Sequence, residues 1–383
     1  MNFDLDAGQE QVRKNIRSLM DGEPEPFALP EDFSLEDLYQ VYRDLLGGLR
    51  GSGYLELGTS SDPIGGAPYA DYSTIVLAGE ELARRVPALY LGLETSIRLA
   101  GGVLARYGTE AQKARYLAPL LQGDLLGTVA LREALGNFPA AGIATQAEQD
   151  GRGYFLTGTK KGVVLGGLAD WLVVPAMTGG RLGLFLIPSG SDGLAVSNPG
   201  RILGYEQAAL AEVKLLACPV REEEVLGFFE PEEILSDLRI RENLAIAVSS
   251  LGVMHQALFS ARACAARTGE GGKPPLAQQE IRYRLADMFT LLQTSQFLAY
   301  RAAWMLEAAV PEAATVAAAA KVFITEAAEE VTRGAMQITA LDGYLGEAGI
   351  EARFREARFG PVAGETSEVL RMRIADECLK KFA

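Results

Sequence analysis

The chain has 383 residues, of which 48% are hydrophobic and 22% charged, and its formal net charge is −14. This length exceeds the roughly 250–300 residues at which one hydrophobic core stops growing, so two or three packed units are expected. The negative charge opposes binding to phosphate backbones, and nucleic acid is therefore not expected as a partner.

The N-terminal residues MNFDLDAGQEQ contain no basic segment followed by an apolar one, and no uncharged apolar run reaches about 18 residues. We therefore expect no secretion signal, no membrane partner and a cytoplasmic location. Cys218, Cys264 and Cys378 stand far apart, and His255 is the single histidine. Because none of them has metal-ligand spacing, no metal site is expected.

Helical patterns fill the first 123 residues. Apolar residues recur at helical spacing in QEQVRKNIRSLM, and Ser34 followed by Asp37 is a capping signal for the stretch EDLYQVYRDLLGGL. YSTIVLAGEELARRV and PALYLGLETSIRLAGGVLARYG predict two further helices, the second apolar on several faces. We predict an N-terminal α-helical domain over residues 1–123.

From residue 124 the pattern changes to short runs of β-branched and aromatic residues separated by Gly, Pro, Asn and Asp. GYFLTGTKKGVV, DWLVVPAMT, RLGLFLIPS, GLAVSN and AEVKLLACPV are typical of strands, and they predict a β-barrel-like middle domain over residues 124–230. Long helical patterns begin at Pro231 and predict a C-terminal four-helix bundle over residues 231–383. The predicted fold class is α+β with several domains.

Two C-terminal stretches resemble the motifs of a known family. QITALDGYLGEAGIEARFREARF is similar to the pattern QxxGGxGYxxExPxxRxxRDAR, and GETSEVLRMRIA is similar to EGTSEIxRxxIA. Upstream, LARYGTEAQKARYLAPLLQGDLLGTVALRE resembles a helix, a linker and the start of a signature in the same family. Together with the order of elements, these motifs make the chain resemble the acyl-CoA dehydrogenase family.

This resemblance implies a reaction and its participants. It implies α,β-dehydrogenation of an acyl-CoA thioester, in which a carboxylate removes the α-proton while hydride leaves the β-carbon for the flavin. The implied cofactor is FAD, and the implied electron acceptor is an electron-transfer flavoprotein.

The family carries its catalytic base at one of two places. Many members use the Glu of a YEGTSE loop, where this chain has Gly364, with Glu365 one residue further on as an alternative. Members similar to isovaleryl- and long-chain-acyl dehydrogenases carry the base on the first long bundle helix, and the residue there is Glu242. The resemblance thus implies Glu242 as base. From the residues alone, a solvated glutamate paired with Arg239 or Arg241 stays open.

The resemblance also implies which residues contact the cofactor. The retained matches are Glu133, Gly166, Gly167, Gln337, Gly343, Thr366 and Glu368. Elsewhere the flavin motifs depart from the family: Arg132 stands at the Thr of TEPGAGSD, Gly162 and Val164 at the Trp and Thr of KxWITNGG, and Ala340 and Leu341 at a Gly-Gly pair. The retained residues could also serve helix ends and turns without a cofactor.

These departures lead to a prediction about partners. The loop Arg267–Pro274 lacks the aromatic residue of the family's RxxFGxP pattern, so contacts to both halves of FAD are altered. We predict a subunit of a hetero-oligomer, a heterotetramer in the related α2β2 enzymes, whose flavin-competent paralogue helps to hold FAD. The alternatives are a non-catalytic structural subunit and a flavin-free homologue that binds acyl-CoA.

Overall fold

A computed structural model of the protein describes all residues except 1–4, 22–26, 28, 30–31, 60–70, 134–142, 152, 198–201, 268–271, 346–348 and 381–383. Its contacts divide the chain into two compact units. Unit 1 comprises Met1–Asp71, Ala88–Ile202 and Glu206–Glu242, and unit 2 comprises Tyr72–Pro87, Leu203–Tyr205 and Asn243–Ala383. The three domain ranges predicted from the sequence stay predictions.

Helices occupy most of the described residues. The α-helices are α1 (Ala7–Met20), α2 (Leu35–Leu49), α3 (Tyr72–Ala83), α4 (Pro87–Glu94), α5 (Gly102–Tyr107), α6 (Glu110–Gln112), α7 (Ala118–Leu121), α8 (Pro231–Ala266), α9 (Gln279–Glu307), α10 (Ala313–Tyr344), α11 (Ile350–Ala357), α12 (Phe359–Val362) and α13 (Ser367–Lys380). Two π-helical turns, Thr95–Gly101 and Lys113–Leu117, interrupt the run from α4 to α7.

The capping signal predicted for α2 is confirmed. The Asp37 amide donates to Ser34 Oγ at 3.1 Å, and the Ser34 amide donates to Asp37 Oδ2 at 2.9 Å. These two bonds satisfy backbone donors that the first turn leaves without an intrahelical partner. The start of α2 is therefore encoded locally.

The strands of unit 1 form one sheet. They are β1 (Gly127–Val129), β2 (Gln146–Asp150), β3 (Gly153–Val163), β4 (Trp171–Thr178), β5 (Arg181–Pro188), β6 (Leu194–Ser197), β7 (Ala211–Arg221) and β8 (Val225–Phe229). The strand order is β6-β7-β3-β2-β4-β5-β8, and β1 pairs with β4. The β1–β4 and β2–β4 pairs are parallel and the others are antiparallel.

Two hydrophobic clusters cover this sheet. One contains Trp171, Val173 and Leu184 and joins strands β4 and β5 to the helical run that ends with α7 and to the start of α8. The other contains Leu172 and Phe185, which alternate with the first set along the same strands. Because successive side chains point to opposite faces of a strand, the continuous apolar runs of β4 and β5 are buried on both faces.

In unit 2, α9 packs along α10 and α3, and α11 and α13 pack against α10. Helix α3 approaches α8 closely, since a Cβ at Gly252 would lie 2.0 Å from the Ala83 carbonyl oxygen. By length and composition α8 is, within the described part of the chain, a helix that could cross a membrane, but 72% of its apolar window is buried in the protein. Burial of this kind is also typical of core helices.

A buried carboxylate joins three helices of unit 2. His255 Nε2 lies 2.5 Å from Glu80 Oε1, Gln296 Nε2 donates to the same oxygen at 2.5 Å, and the Tyr300 hydroxyl donates to Glu80 Oε2. Burial alone would raise the pKa of Glu80, but the hydrogen bonds from His255 and Tyr300 and the charge of Arg84 outweigh it and lower this pKa. These contacts, which we call the Glu80 cluster, thus provide hydrogen-bond partners for a carboxylate whose residue is only 3% exposed.

Helix α10 contains one residue with a non-helical backbone. Ala340 has φ 49° and ψ −126°, a conformation that glycine adopts far more readily than alanine. The family pattern has glycine at this position. The structure therefore retains a glycine-type kink at a residue that carries a Cβ.

Candidate active site

A small pocket in unit 1 brings together the first predicted catalytic residue and the predicted flavin region. Its lining residues are Thr95, Leu99, Val129, Leu131, Arg132, Gly162, Val163, Val164 and Glu242. They come from the π-helical turn, from β1 and the residues after it, from the end of β3, and from α8. Five of them are aliphatic, and Arg132 and Glu242 are the charged residues of this lining.

The π-helical turn places two residues of this lining. Thr95 and Leu99 stand four positions apart, and the Thr95 hydroxyl donates to the Leu91 carbonyl at 2.9 Å. That bond keeps the hydroxyl on its own helix. Single π-helical turns occur frequently at functional sites, because the extra residue re-aims the side chains of one helix turn.

Arg132 and Glu242 form an ion pair inside the pocket. Arg132 Nη2 donates to Glu242 Oε1 at 2.5 Å, and the side chains are 26% and 16% exposed. Arg239 pairs instead with Glu232 at 3.6 Å and Arg241 with Asp237 at 3.0 Å. Glu242 is therefore a largely buried glutamate paired with Arg132, which does not fit the solvated glutamate that the residues alone left open.

The next residue along the chain, Glu133, has a different set of partners. Lys160 Nζ donates to Glu133 Oε1 at 2.7 Å and to the Pro175 carbonyl at 2.8 Å, while the Ala144 and Thr145 amides donate to the Glu133 carboxylate at 2.6 and 3.0 Å. Glu133 and Lys160 form a buried pair, the Glu133–Lys160 anchor, which ties the segment after β1 to β3 beside Arg132.

Burial sets the charge properties of this anchor. Lys160 is fully buried, and burial lowers its pKa to about 8 although the Glu133 charge opposes the change. Burial alone would raise the pKa of Glu133, but the Lys160 charge and the hydrogen bonds from Lys160, Thr145 and Ala144 outweigh it and lower this pKa. Glu133, a predicted cofactor contact, thus serves the internal structure of unit 1.

The glycines after β3 differ in what they permit. Gly162 has φ 61°, and a Cβ there would meet no atom of the described residues within 4 Å. A Cβ at Gly167 would meet Leu35 Cδ1 at 3.9 Å, whereas one at Gly166 would lie 2.9 Å from Ala211 Cβ. Gly166 is therefore required by packing within the protein, and Gly162 and Gly167 leave open backbone.

The alternative base, Glu365, lies in unit 2 and has several partners there. Asn243 Nδ2 donates to Glu365 Oε2 at 3.0 Å, and Arg373 Nη2 lies 2.9 Å from Oε1. Lys321 Nζ donates to the Glu365 carbonyl at 2.7 Å, and the residue is 8% exposed. Contacts to both carboxylate oxygens of Glu365 therefore hold the loop before α13 in place.

The other retained motif residues also lie in unit 2. Gln337 is exposed on α10. A Cβ at Gly343 would lie 2.0 Å from Thr339 Oγ1, so glycine is needed there to leave room for the Thr339 side chain on the same helix. Thr366 Oγ1 accepts from the Val369 amide at 3.4 Å at the start of α13. Glu368 is exposed, and hydrogen bonds from its own amide and from Thr366 lower its pKa.

Some predicted positions fall outside the described residues. They are Glu347, most of the segment aligned with TEPGAGSD after Glu133, and the centre of the Arg267–Pro274 loop. Within the described residues, no group of three or more His, Cys, Asp or Glu side chains could hold a metal ion.

Sequence reasoning did not assign a role to Arg132. The available signal was the replacement of a small hydroxyl residue by a cation directly before Glu133. It was interpreted only as the loss of a flavin contact, because its partner Glu242 lies 110 positions away in the sequence.

Comparison with known proteins adds the family. Residues 6–124 match the profile described as acyl-CoA dehydrogenase, N-terminal domain, and residues 240–379 match the profile of its C-terminal domain. The chain is 30% identical to the mitochondrial short-chain specific acyl-CoA dehydrogenase of Bos taurus, over 82% of this chain and 77% of that one. The chain belongs to the acyl-CoA dehydrogenase family.

Two further proteins are similar to this chain over almost its whole length. The probable acyl-CoA dehydrogenase YngJ of Bacillus subtilis (strain 168) is 28% identical, over 99% of this chain and 100% of that one. The structure of butyryl-CoA dehydrogenase from Megasphaera elsdenii has a TM-score of 0.85 at 24% identity, covering 99% of this chain and 100% of that one. The predicted acyl-CoA dehydrogenase fold is confirmed, and the family supports the predicted oxidoreductase class.

Proposed function

We propose that this protein is an acyl-CoA dehydrogenase that introduces an α,β double bond into an acyl-CoA thioester, with Glu242 as the catalytic base. The observation that carries the proposal is the position of Glu242. It is a carboxylate on α8 that lines a pocket with five aliphatic residues and is held there by Arg132. A positioned carboxylate in such a chamber can take up the α-proton of a thioester.

The pocket walls contribute orientation and exclusion of water. Leu99, Val129, Leu131 and Val163 offer apolar surface to an acyl chain. The Thr128 hydroxyl donates to the Val164 carbonyl at 2.6 Å, which fixes the backbone of the opposite wall. An acyl group held against these residues presents its α-carbon to Glu242 without the cost of ordering the wall at the moment of reaction.

The residues beside the pocket fit FAD as cofactor. The open backbone at Gly162 and Gly167 admits a flat ring close to the main chain, because neither glycine brings a side chain into that space. We propose that these two glycines face the ring system. When bound, FAD supplies the acceptor for the β-hydride. The electron acceptor we propose for the reduced enzyme is an electron-transfer flavoprotein.

We further propose that this chain assembles with a second member of the family and that the protein is located in the cytoplasm. Unit 2 carries large apolar side chains that are exposed in the described structure: Phe259, Tyr283, Phe289, Phe297, Trp304, Phe323, Leu341, Tyr344, Leu345, Phe354, Met372 and Leu379. On α9, Tyr283, Phe297 and Trp304 are separated by multiples of seven and share one helix face. A helix face with several exposed aromatic side chains favours packing against another chain.

The proposed catalytic role is tested with Glu242→Gln. The chain is purified alone and with a co-expressed family member encoded beside it, and the visible flavin spectrum and dehydrogenation of short acyl-CoA esters are measured. We expect Glu242→Gln to lower turnover by about 10²–10⁴-fold with unchanged flavin content. The matched control is Glu233→Gln, an exposed glutamate on the same helix, which should leave turnover unchanged.

Each outcome distinguishes among the predicted functions. A flavin band and turnover only in the co-purified complex support the hetero-oligomeric enzyme. Flavin and turnover that persist when Glu242→Gln is introduced would show that the catalytic base is on another residue or chain, as expected of a structural subunit.

A further inference from the structure

The charge balance of the pocket has a chemical consequence at Arg132. Among the described residues that line the pocket, only Arg132 and Glu242 are charged, and their charges cancel. When Glu242 takes up a proton it becomes neutral, while the substrate gains a negative charge. The ion pair between Arg132 and Glu242 therefore loses its negative charge at the moment when a new anion forms in the same pocket.

We infer that Arg132 is a catalytic residue that transfers its hydrogen bond from the Glu242 carboxylate to the thioester oxygen of the enolate. This inference rests on the proposed function. In the step, the Cα–H bond breaks, the proton forms an O–H bond on Glu242, and the electron pair moves into the enolate, whose charge resides largely on the former carbonyl oxygen. Charge is conserved, and an anion in the pocket faces Arg132 before and after the transfer.

The local structure suits this role. A guanidinium presents several N–H donors in one plane, so it can bind a second oxygen before it releases the first. The Glu133–Lys160 anchor holds the backbone beside Arg132, and the Lys161 amide donates to the Arg132 carbonyl at 2.9 Å. Donors fixed in advance at the place where charge develops account for factors of about 10²–10³ in rate when one is removed.

The first test measures proton transfer without oxidation. The holoenzyme, with its partner chain if flavin requires it, is mixed with butyryl-CoA in D2O without an electron acceptor, and loss of the α-proton signal is followed by NMR. We expect Arg132→Met to slow exchange by about 10²-fold or more, and Arg132→Lys, which keeps the charge, to retain an intermediate rate.

The matched control is Arg115→Met. Arg115 Nη1 lies 2.7 Å from Glu224 Oε1, an ion pair to a buried glutamate outside the pocket. This variant should exchange α-protons at the wild-type rate. Exchange at the wild-type rate in Arg132→Met would overturn the inference while leaving the proposed function intact. A wild type that neither exchanges nor dehydrogenates would overturn both.

A second test uses binding alone, so that it does not depend on turnover. The enolate of acetoacetyl-CoA is a stable anion, and its ultraviolet absorption reports binding. Glu242→Gln removes the carboxylate that competes for Arg132, so we expect this enolate to bind about tenfold or more tightly relative to butyryl-CoA. Adding Arg132→Met should abolish that gain. An equal gain in the double variant would show that Arg132 does not contact the oxyanion.

Discussion

The Lys160 ammonium donates to Glu133 Oε1 at 2.7 Å, and Glu133 directly follows Arg132, the residue that pairs with the proposed catalytic base. The two side chains are 0% and 9% exposed. This buried pair links strand β3 to the segment that follows β1. The backbone position of Arg132 therefore depends on a contact that the neighbouring residue makes with β3.

Lys160→Met is expected to destabilise the protein. Removing one partner leaves the Glu133 carboxylate buried without its cation, which costs about 3–5 kcal/mol in the free energy of unfolding. The matched control is the neighbouring Lys161→Met. Lys161 is 53% exposed and pairs with Glu212 at 3.2 Å, so its loss should cost less than about 1 kcal/mol. Equal losses in chemical denaturation would contradict the structural role of Lys160.

The same pair predicts a dependence on pH. Lys160 has a pKa of about 8 in the folded protein, lowered from 10.5 mainly by burial. Between these values the unfolded chain binds more protons than the folded one, so this lysine makes the free energy of unfolding rise with pH. We expect the contribution to appear in wild type and to vanish in Lys160→Met, measured by denaturation at several pH values from about 8 to 10. A rise of the same size in both proteins would assign it to other groups.

Glu365→Ala separates a structural from a catalytic role at the alternative base. Its removal leaves Asn243 and Arg373 without their acceptor, and we expect a loss of about 1–3 kcal/mol in stability with turnover of the folded protein retained. Glu377→Ala, an exposed glutamate on α13, is the control and should change little. Abolished turnover at unchanged stability would instead assign the base to Glu365.

Ala340→Gly should stabilise the protein. The backbone at φ 49° and ψ −126° strains alanine by an amount of order 1–3 kcal/mol, which glycine would relieve. Glycine also increases the conformational entropy of the unfolded chain, and this offsets part of the gain in stability. We therefore expect a net increase of about 1 kcal/mol by thermal or chemical denaturation. Ala319→Gly, at a helical position of the same helix, should lower stability by about 0.5–1 kcal/mol. A decrease at both positions would contradict the predicted strain at Ala340.

Much of the fold was predictable because its signals are local. The capping pair Ser34 and Asp37 and the apolar strands β4 and β5 carry their own patterns within a few residues. Strand β2, Gln146–Asp150, was missed because four of its five residues are polar and most are exposed. Strand β1 was missed because it has only three residues.

The site was predictable only where a motif aligned with it. Glu242 was found through the resemblance of its helix, and the structure places it in a pocket. The pairing with Arg132 was not predictable, since it depends on the anchoring of Glu133 and on a contact between distant segments. The π-helical turn that supplies Thr95 was missed as well, because its sequence is typical of an ordinary helix.

The Glu80 cluster also has a practical use. His255 is the single imidazole in the sequence, so the resonances of its ring protons need no assignment to a residue. The His255 Nε2 atom on α8 lies 2.5 Å from the Glu80 carboxylate on α3, which also accepts a hydrogen bond from Gln296 on α9. Those resonances therefore report how α3, α8 and α9 are packed. The chain thus carries an intrinsic spectroscopic label, and every variant described above can be checked for an intact bundle without adding a probe.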